Sequence, residues 1–398
     1  MVRSPRVGST NTSLGTFRLL TAIDRMLPAG SDRLSEASCT ENLTARISRA
    51  LANRHDLACV NLRCSLIEDS GVALLVEALA YNPYMTLLDL TANRLGEGGM
   101  RCISTLLLRN TELSTLVLEG NALDAAAIKP LAEALTGGTK LVSLNLRANV
   151  IGDDGAALLG NGLLKNTFLT QLDLTGNDIT AQGAGHLAAG FANSGNSKLH
   201  ALNLSRNDVR AEGAAQLAAA LERTQTLRRL DLRSNAVGDA GVLALASSIK
   251  AGSKLVDLEL SQNGVSDTGT TALAEALVQT NELKHLGLSN NRIQDHGAAS
   301  LATALRTNTS LKRLRLCENG VADFGATQLG DALRSNTSLT WLSLRRNWIW
   351  DTGIISLANG LSFNVSLEEL DVSSLELTAA VSIELQELKR ALRRNKTR

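Results

Sequence analysis

Aromatic residues are scarce in this chain, 3% of 398 residues, which removes the stacking platforms that single-strand nucleic-acid binders use. Net charge is equally small, +1 from 40 basic and 39 acidic side chains, so the molecule as a whole is no electrostatic trap for nucleic acid. No apolar run reaches the roughly 18 residues that a membrane span needs, and no secretory leader core is visible. Cysteines number five, Cys39, Cys59, Cys64, Cys102 and Cys317, an odd count without paired spacing. Free thiols in a reducing compartment, and hence a cytoplasmic location, are expected. The histidines, His55, His186, His200, His285 and His296, have no i, i+4 pairing and no cysteine cluster beside them, so no metal is expected.

What the chain has in quantity is leucine in a fixed frame. The stretch LKRLRLCEN, Leu311 to Asn319, places leucines eight, five and three positions before an asparagine. The frame LxxLxLxxN ends again at Asn121, Asn149, Asn177, Asn207, Asn235, Asn263, Asn291 and Asn347, and at Asn93 with Met85 in the first slot. The step is 28 residues throughout except from Asn177 to Asn207, where it is 30. A period of this length marks a solenoid, in which each unit needs its neighbours to bury its core. An unbroken period also overrides the two or three domains that length alone suggests.

Alternating leucines project to one side of a short strand and leave the residues between them on the other. The asparagine, with two donors and an acceptor, satisfies the backbone of the turn that ends the strand. Beyond it the spacing changes to that of a helix: Asn263 is followed by Val265, Asp267, Gly269, Leu273 and Leu277. Asp239, Asp267, Asp295, Asp323 and Asp351 share one position ahead of that helix and are expected to be its N-caps. The frame degenerates at both ends, with Ser65 and then Leu375 where an asparagine belongs. The expected organisation is a polar tail with a short helix from Phe17 over residues 1–42, repeats with about twelve strands over 43–375, and a capping helix with a basic tail over 376–398. An organellar presequence is the alternative reading of the first 23 residues, which carry Arg3, Arg6 and Arg18 and no acid before Asp24.

The period, the LxxLxLxxN frame and the glycine-containing helix resemble the leucine-rich repeats of the ribonuclease-inhibitor class, which also occur in NOD-like receptors and Ran GTPase-activating proteins. The resemblance covers about residues 43 to 375. It implies an α/β leucine-rich repeat solenoid, a horseshoe with parallel strands on the concave face, helices on the convex face, and protein ligands on the concave surface or its rim. It implies no common active site.

Catalytic chemistry is not expected. GGTK at Gly137 to Lys140 and AGSK at Ala251 to Lys254 lack the full phosphate-loop spacing and fall at the return turn. Asn308-Thr-Ser, Asn336-Thr-Ser and Asn364-Val-Ser are glycosylation sequons in form, yet they recur at that same turn and read as turn chemistry. No cofactor, small-molecule substrate, nucleic acid or membrane is expected as a partner.

The free strand face is read from the positions six, four and two before each asparagine. Early repeats offer Thr115, Ser143, Asn145, Gln171 and Asp173; later ones offer Arg229, Asp231, Arg233, Asp257, Glu259, His285, Arg313, Arg315, Trp341 and Arg345. Charges of alternating sign form a candidate recognition strip or a solvated face. All three tryptophans, Trp341, Trp348 and Trp350, fall in SLTWLSLRRNWIWDTG with Arg345 and Arg346 between them. Other repeats carry small residues at the last two positions, for example Gly320 and Ala322, so the frame does not require bulk there. Trp and Arg are enriched at binding hot spots, which makes this segment the candidate rim site. The expectation is a non-enzymatic protein-binding scaffold, a subunit of a larger cytoskeletal or axonemal assembly. The alternatives are an activator of a GTPase, against which the basic ending Arg390, Arg393, Arg394, Lys396 and Arg398 counts, and a sensor or inhibitor similar to NOD-like receptor repeats.

Overall fold

The computed structural model describes residues 57–193, 198–373, 375 and 381–397, positions 48 and 51, and the backbone of 16–18. Its strands are β1 (Thr16–Arg18), β2 (Cys59–Asn61), β3 (Leu87–Asp89), β4 (Thr115–Val117), β5 (Ser143–Asn145), β6 (Gln171–Asp173), β7 (Ala201–Asn203), β8 (Arg229–Asp231), β9 (Asp257–Glu259), β10 (His285–Gly287), β11 (Arg313–Arg315), β12 (Trp341–Ser343) and β13 (Glu369–Asp371). Helices alternate with them from β2 on: α1 (Asp69–Leu79), α2 (Glu97–Arg109), α3 (Ala125–Thr136), α4 (Gly152–Leu163), α5 (Ala181–Asn193), α6 (Arg210–Arg223), α7 (Gly238–Lys250), α8 (Asp267–Gln279), α9 (Asp295–Leu305), α10 (Asp323–Leu333), α11 (Asp351–Phe363) and α12 (Ser382–Lys396). All strands lie in one parallel sheet in chain order, the concave wall of a horseshoe whose convex wall is the helices.

Register follows from the period. Leu258 pairs with Leu230 on one side and Leu286 on the other, so the middle leucines of successive strands form one buried column. In the repeat of β9, Leu255, Leu258, Leu260, Val265, Leu273 and Leu277 are all 1% exposed or less, each worth about 1.5–3 kcal/mol of burial. Helices pack on the outside at short range where both carry glycine. A Cβ on Gly360 of α11 would collide with the backbone carbonyl of Gly330 in α10, so Gly360→Ala is expected to force those helices apart and cost about 1–3 kcal/mol, read as a lower urea midpoint.

The twelve strand frames of the sequence are β2 to β13. A thirteenth strand, β1, pairs with β2 through Phe17 and Val60. This corrects the expected helix start at Phe17: the unpaired edge of β2 offers backbone partners that an isolated short helix would lack. The remainder of that helix and Cys39 lie outside the described residues, as does part of the longer loop of the 30-residue step.

The repeat asparagines do more than close their own turns. Asn263 Nδ2 donates to Ser261 O at 3.2 Å and back to Leu232 O at 2.8 Å, while Oδ1 accepts the N–H groups of Asn235 at 3.0 Å and Val237 at 3.1 Å. Each asparagine thereby stitches its turn to the preceding repeat, and the ladder recurs from Asn93 to Asn347. The residue just before it is left-handed, with φ between 52° and 60° at Ala92, Ala148, Arg206, Ser234, Gln262, Asn290, Glu318 and Arg346. A second ladder runs through the return turns. Asn336 Nδ2 donates to Leu305 O at 2.7 Å and Asn308 O at 3.2 Å, and Asn308, Asn336 and Asn364 are buried, which leaves no room for a glycan at the sequons.

The aspartate column needs correction. Asp239, Asp267, Asp295 and Asp323 stand at the first helical position or beside it, and their carboxylates accept from N–H groups at the helix start of the following repeat, not their own. Asp295 Oδ1 accepts the N–H groups of Ala322 and Gly325, both at 2.8 Å, and Asp323 Oδ1 those of Trp350 at 2.7 Å and Gly353 at 2.9 Å. The stacking distance brings the next helix N-terminus closer to the carboxylate than its own first turn. A Cβ at Gly325 would sit 2.7 Å from that oxygen, which is why a glycine follows the aspartate two positions on in the next repeat. Asp295→Ala is expected to remove about 1–2 kcal/mol, measured by urea denaturation.

At the C-terminal end Val381 and Leu388 are buried and Leu385 and Leu392 pack against the core. Arg394 adds a specific contact, donating to Asn364 O at 2.6 Å and to the Leu361 carbonyl of α11 at 3.3 Å. Asn395 donates to Leu367 O at 2.9 Å and closes the second ladder.

Candidate functional site: the concave strip and its rim

The strands present their outer and inner flanking residues to the concave side in three columns. Arg229, Asp257, His285, Arg313 and Trp341 stand side by side in one; Asp231, Glu259, Gly287, Arg315 and Ser343 in the next. Arg233 and Arg345 stand two residues beyond the ends of β8 and β12.

Several of these charges satisfy each other. Arg233 Nε and Nη2 grip both oxygens of Asp231, at 2.6–3.0 Å. His285 Nδ1 lies 3.4 Å from Asp257 Oδ2. Arg315 Nη1 reaches Glu259 Oε1 at 2.6 Å across two repeats, and its guanidinium lies 5.8 Å from the centre of the Trp341 ring. That long reach depends on Gly287: any Cβ there would run into the Glu259 carboxylate. Arg229 and Arg313 are exposed and make no ion pair among the described residues.

Burial pushes the Glu259 carboxyl above the usual carboxylate range; Asp231 and Asp257 push the same way, against the opposing field of Arg315. A carboxyl whose folded value is raised contributes stability below its unfolded pKa and loses it as pH rises through the folded value. Near neutral pH Glu259 is therefore a burden on the fold. Glu259→Gln is expected to leave the melting temperature at pH 7 unchanged or raised, and a clear drop would contradict this. At Asp371 burial also pushes the carboxyl up, but donors from Ser373 and Ser343 and the field of Arg345 outweigh it and hold the group below the usual range.

The rim segment is placed differently. Trp341 is a strand residue inside the concave face, whereas Trp348 and Trp350 stand past Asn347 on the loop leading to α11, 66% and 51% exposed. Ile349 between them is 1% exposed and fills the core slot of the repeat. Arg346 is exposed beside them and pairs with Glu318 at 3.0 Å. The structure adds Phe324, 54% exposed at the same rim one repeat earlier, a position that tryptophan content does not mark. Its signal was available: the matching position holds Thr268, His296 and Thr352 in neighbouring repeats.

Among the described residues no group of His, Cys, Asp and Glu has the arrangement of a metal site, and no helix is long and apolar enough to cross a membrane. Thr139 and Ser253 of the GGTK and AGSK turns are buried. Cys59, Cys64, Cys102 and Cys317 are free thiols, and burial raises those of Cys59 and Cys102.

Stacked strand-and-helix units with an asparagine ladder and one parallel sheet define a repeat solenoid of the leucine-rich kind. The Leucine Rich repeat profile matches residues 81–104, 139–160, 165–188, 195–218, 224–246, 253–274, 281–302 and 335–358. The chain is a leucine-rich repeat protein. No curated protein matches it. Among solved structures, an internalin (inlF) from Listeria monocytogenes is 21% identical with a TM-score of 0.49, over 80% of this chain and 81% of that one. Rad7, in its complex with Elc1 from yeast, is 19% identical with a TM-score of 0.45, over 88% and 96%. Leiomodin-1 Actin-Binding Site 2 is 20% identical with a TM-score of 0.36, over 40% and 89%.

Proposed function

We propose that this chain is a non-enzymatic scaffold that binds another protein through its concave strip and the rim beside it. The strip comprises Arg229, Asp231, Arg233, Asp257, Glu259, Arg313, Arg315, Trp341 and Arg345; the rim adds Arg346, Trp348 and Trp350. One observation carries the reading: two tryptophans with Phe324 beside them face solvent at positions where the repeat needs no bulk, a cost in exposed apolar area that a partner surface offsets. The length of the array, which offers the concave face, the rim and the convex helices to different neighbours at once, supports a place in a larger intracellular assembly of cytoskeletal or axonemal type.

Co-purification of the tagged chain from native cells, followed by direct binding of the recovered protein to the purified chain, tests this. A single protein recovered in stoichiometric amount, and lost from the rim variant described below, is the expected result. Stimulated GTP hydrolysis by a small GTPase in the presence of the chain would replace the scaffold reading.

A further inference from the structure

We propose that the edge of the horseshoe formed by the return turns before β3, β4, β5 and β6 is a second protein-binding surface, which takes an acidic segment carrying an aromatic or aliphatic anchor. It lies at the end of the strands opposite the Trp348 rim and in the other half of the array, so it stands whether or not the rim reading does. Both tyrosines of the chain, Tyr81 and Tyr84, fall in the first of these turns, 79% and 62% exposed, and Phe168 is exposed in the fourth. Later turns hold Thr307 and Ser335 at the position of Tyr81, and Ser310 and Ser338 at that of Tyr84, so the repeat requires no ring at either place. Tyrosine and arginine are concentrated at binding hot spots, and exposed apolar groups gathered on one edge mark interaction surfaces.

The turns are held edge to edge, with Asn110 Nδ2 donating to Asn82 O at 3.0 Å. In the third turn glycine replaces the ladder asparagine. Gly138 has φ +84° and open space where a side chain would stand, and a Cβ on Gly137 would lie 3.0 Å from the exposed Leu108. This leaves a notch with a backbone floor, bordered by Leu108 and, one turn further on, by the exposed Leu164. Charge then selects the occupant. Arg109, Lys140 and Lys165 stand in the second, third and fourth turns, exposed and without an ion pair among the described residues, whereas Lys254, at the matching place of the AGSK turn, is neutralised by Glu282 at 2.8 Å. The one acid of the four turns, Glu112, accepts from the Thr111 hydroxyl at 3.1 Å. Open cations beside an apolar notch complement a segment that carries carboxylates around a buried side chain. Lipid surfaces draw on clusters of about 4–8 basic residues, more than these turns supply.

The test titrates the full chain at low ionic strength with a short fluorescent peptide alternating aspartate and phenylalanine, read by anisotropy. Two control peptides carry asparagine for aspartate or serine for phenylalanine. The first peptide is expected to bind saturably and each control at least about tenfold more weakly. Lys140→Glu with Lys165→Glu, and separately Tyr81→Ser with Tyr84→Ser, should each weaken it by about tenfold or more, with the melting temperature unchanged because all four side chains are exposed. At the other end of the strands, Arg292→Glu, or Trp348→Ala with Trp350→Ala, should leave it unchanged. No binding of the first peptide, equal binding of all three, retained affinity in either edge variant, or a comparable loss in either variant at the other end would overturn the inference. Capture by phosphatidylserine vesicles that Lys140→Glu with Lys165→Glu abolishes, with no peptide bound, would also overturn it and assign the edge to a lipid surface.

Discussion

Asn263→Leu is expected to lower stability by about 3–6 kcal/mol, although leucine is the commoner residue of the frame and branches at the same carbon. The asparagine is 2% exposed and serves two backbone N–H groups and two backbone carbonyls in adjacent repeats. Leucine removes every one of those partners, and each buried N–H left open costs about 1–3 kcal/mol. Because repeats are coupled mainly to their nearest neighbours, the defect should also weaken the cooperativity between the halves on either side. Urea denaturation followed by far-UV circular dichroism should show a lower first midpoint and a second, separate transition. A single transition at the wild-type midpoint would mean that the ladder is an ornament of the turn.

The second large effect is on binding. Trp348→Ala with Trp350→Ala is expected to weaken the native partner by at least about 2 kcal/mol, roughly thirtyfold, while the melting temperature barely moves. Both rings are more than half exposed, so their removal opens no cavity. Ile349→Ala is the internal contrast: it empties a buried slot and should cost about 2–4 kcal/mol of stability while leaving the exposed rings in place. Loss of binding in the tryptophan variant together with loss of fold would show that the rings pack against the chain itself.

The fold was legible because the period is a repeated measurement of the same geometry. All twelve strand frames in the sequence are strands, and the slot holding Ile349 is buried as its place in the frame requires. What escaped was the direction of contacts between repeats. Spacing places Asp295 ahead of its helix, but only the stacking distance shows that Ala322 and Gly325 are the N–H groups it reaches. The concave charges were legible as residues and not as pairs. Glu259 and Arg315 are 56 positions apart, and the intervening Gly287, a gap in a row of side chains, was the one sign that they meet. Phe324 escaped because it is unremarkable until aligned with the threonine and histidine of its neighbours.

In the proposed arrangement one protein lies along both the concave face and the rim. Site-specific photocrosslinking in native cells tests it most directly, with the reactive amino acid placed at Arg313, at Trp348, or at Leu243, which is 45% exposed on the convex helix α7. The same crosslinked protein is expected from positions 313 and 348 and none of it from 243. Crosslinks from 243 alone, or different proteins at 313 and 348, would contradict it.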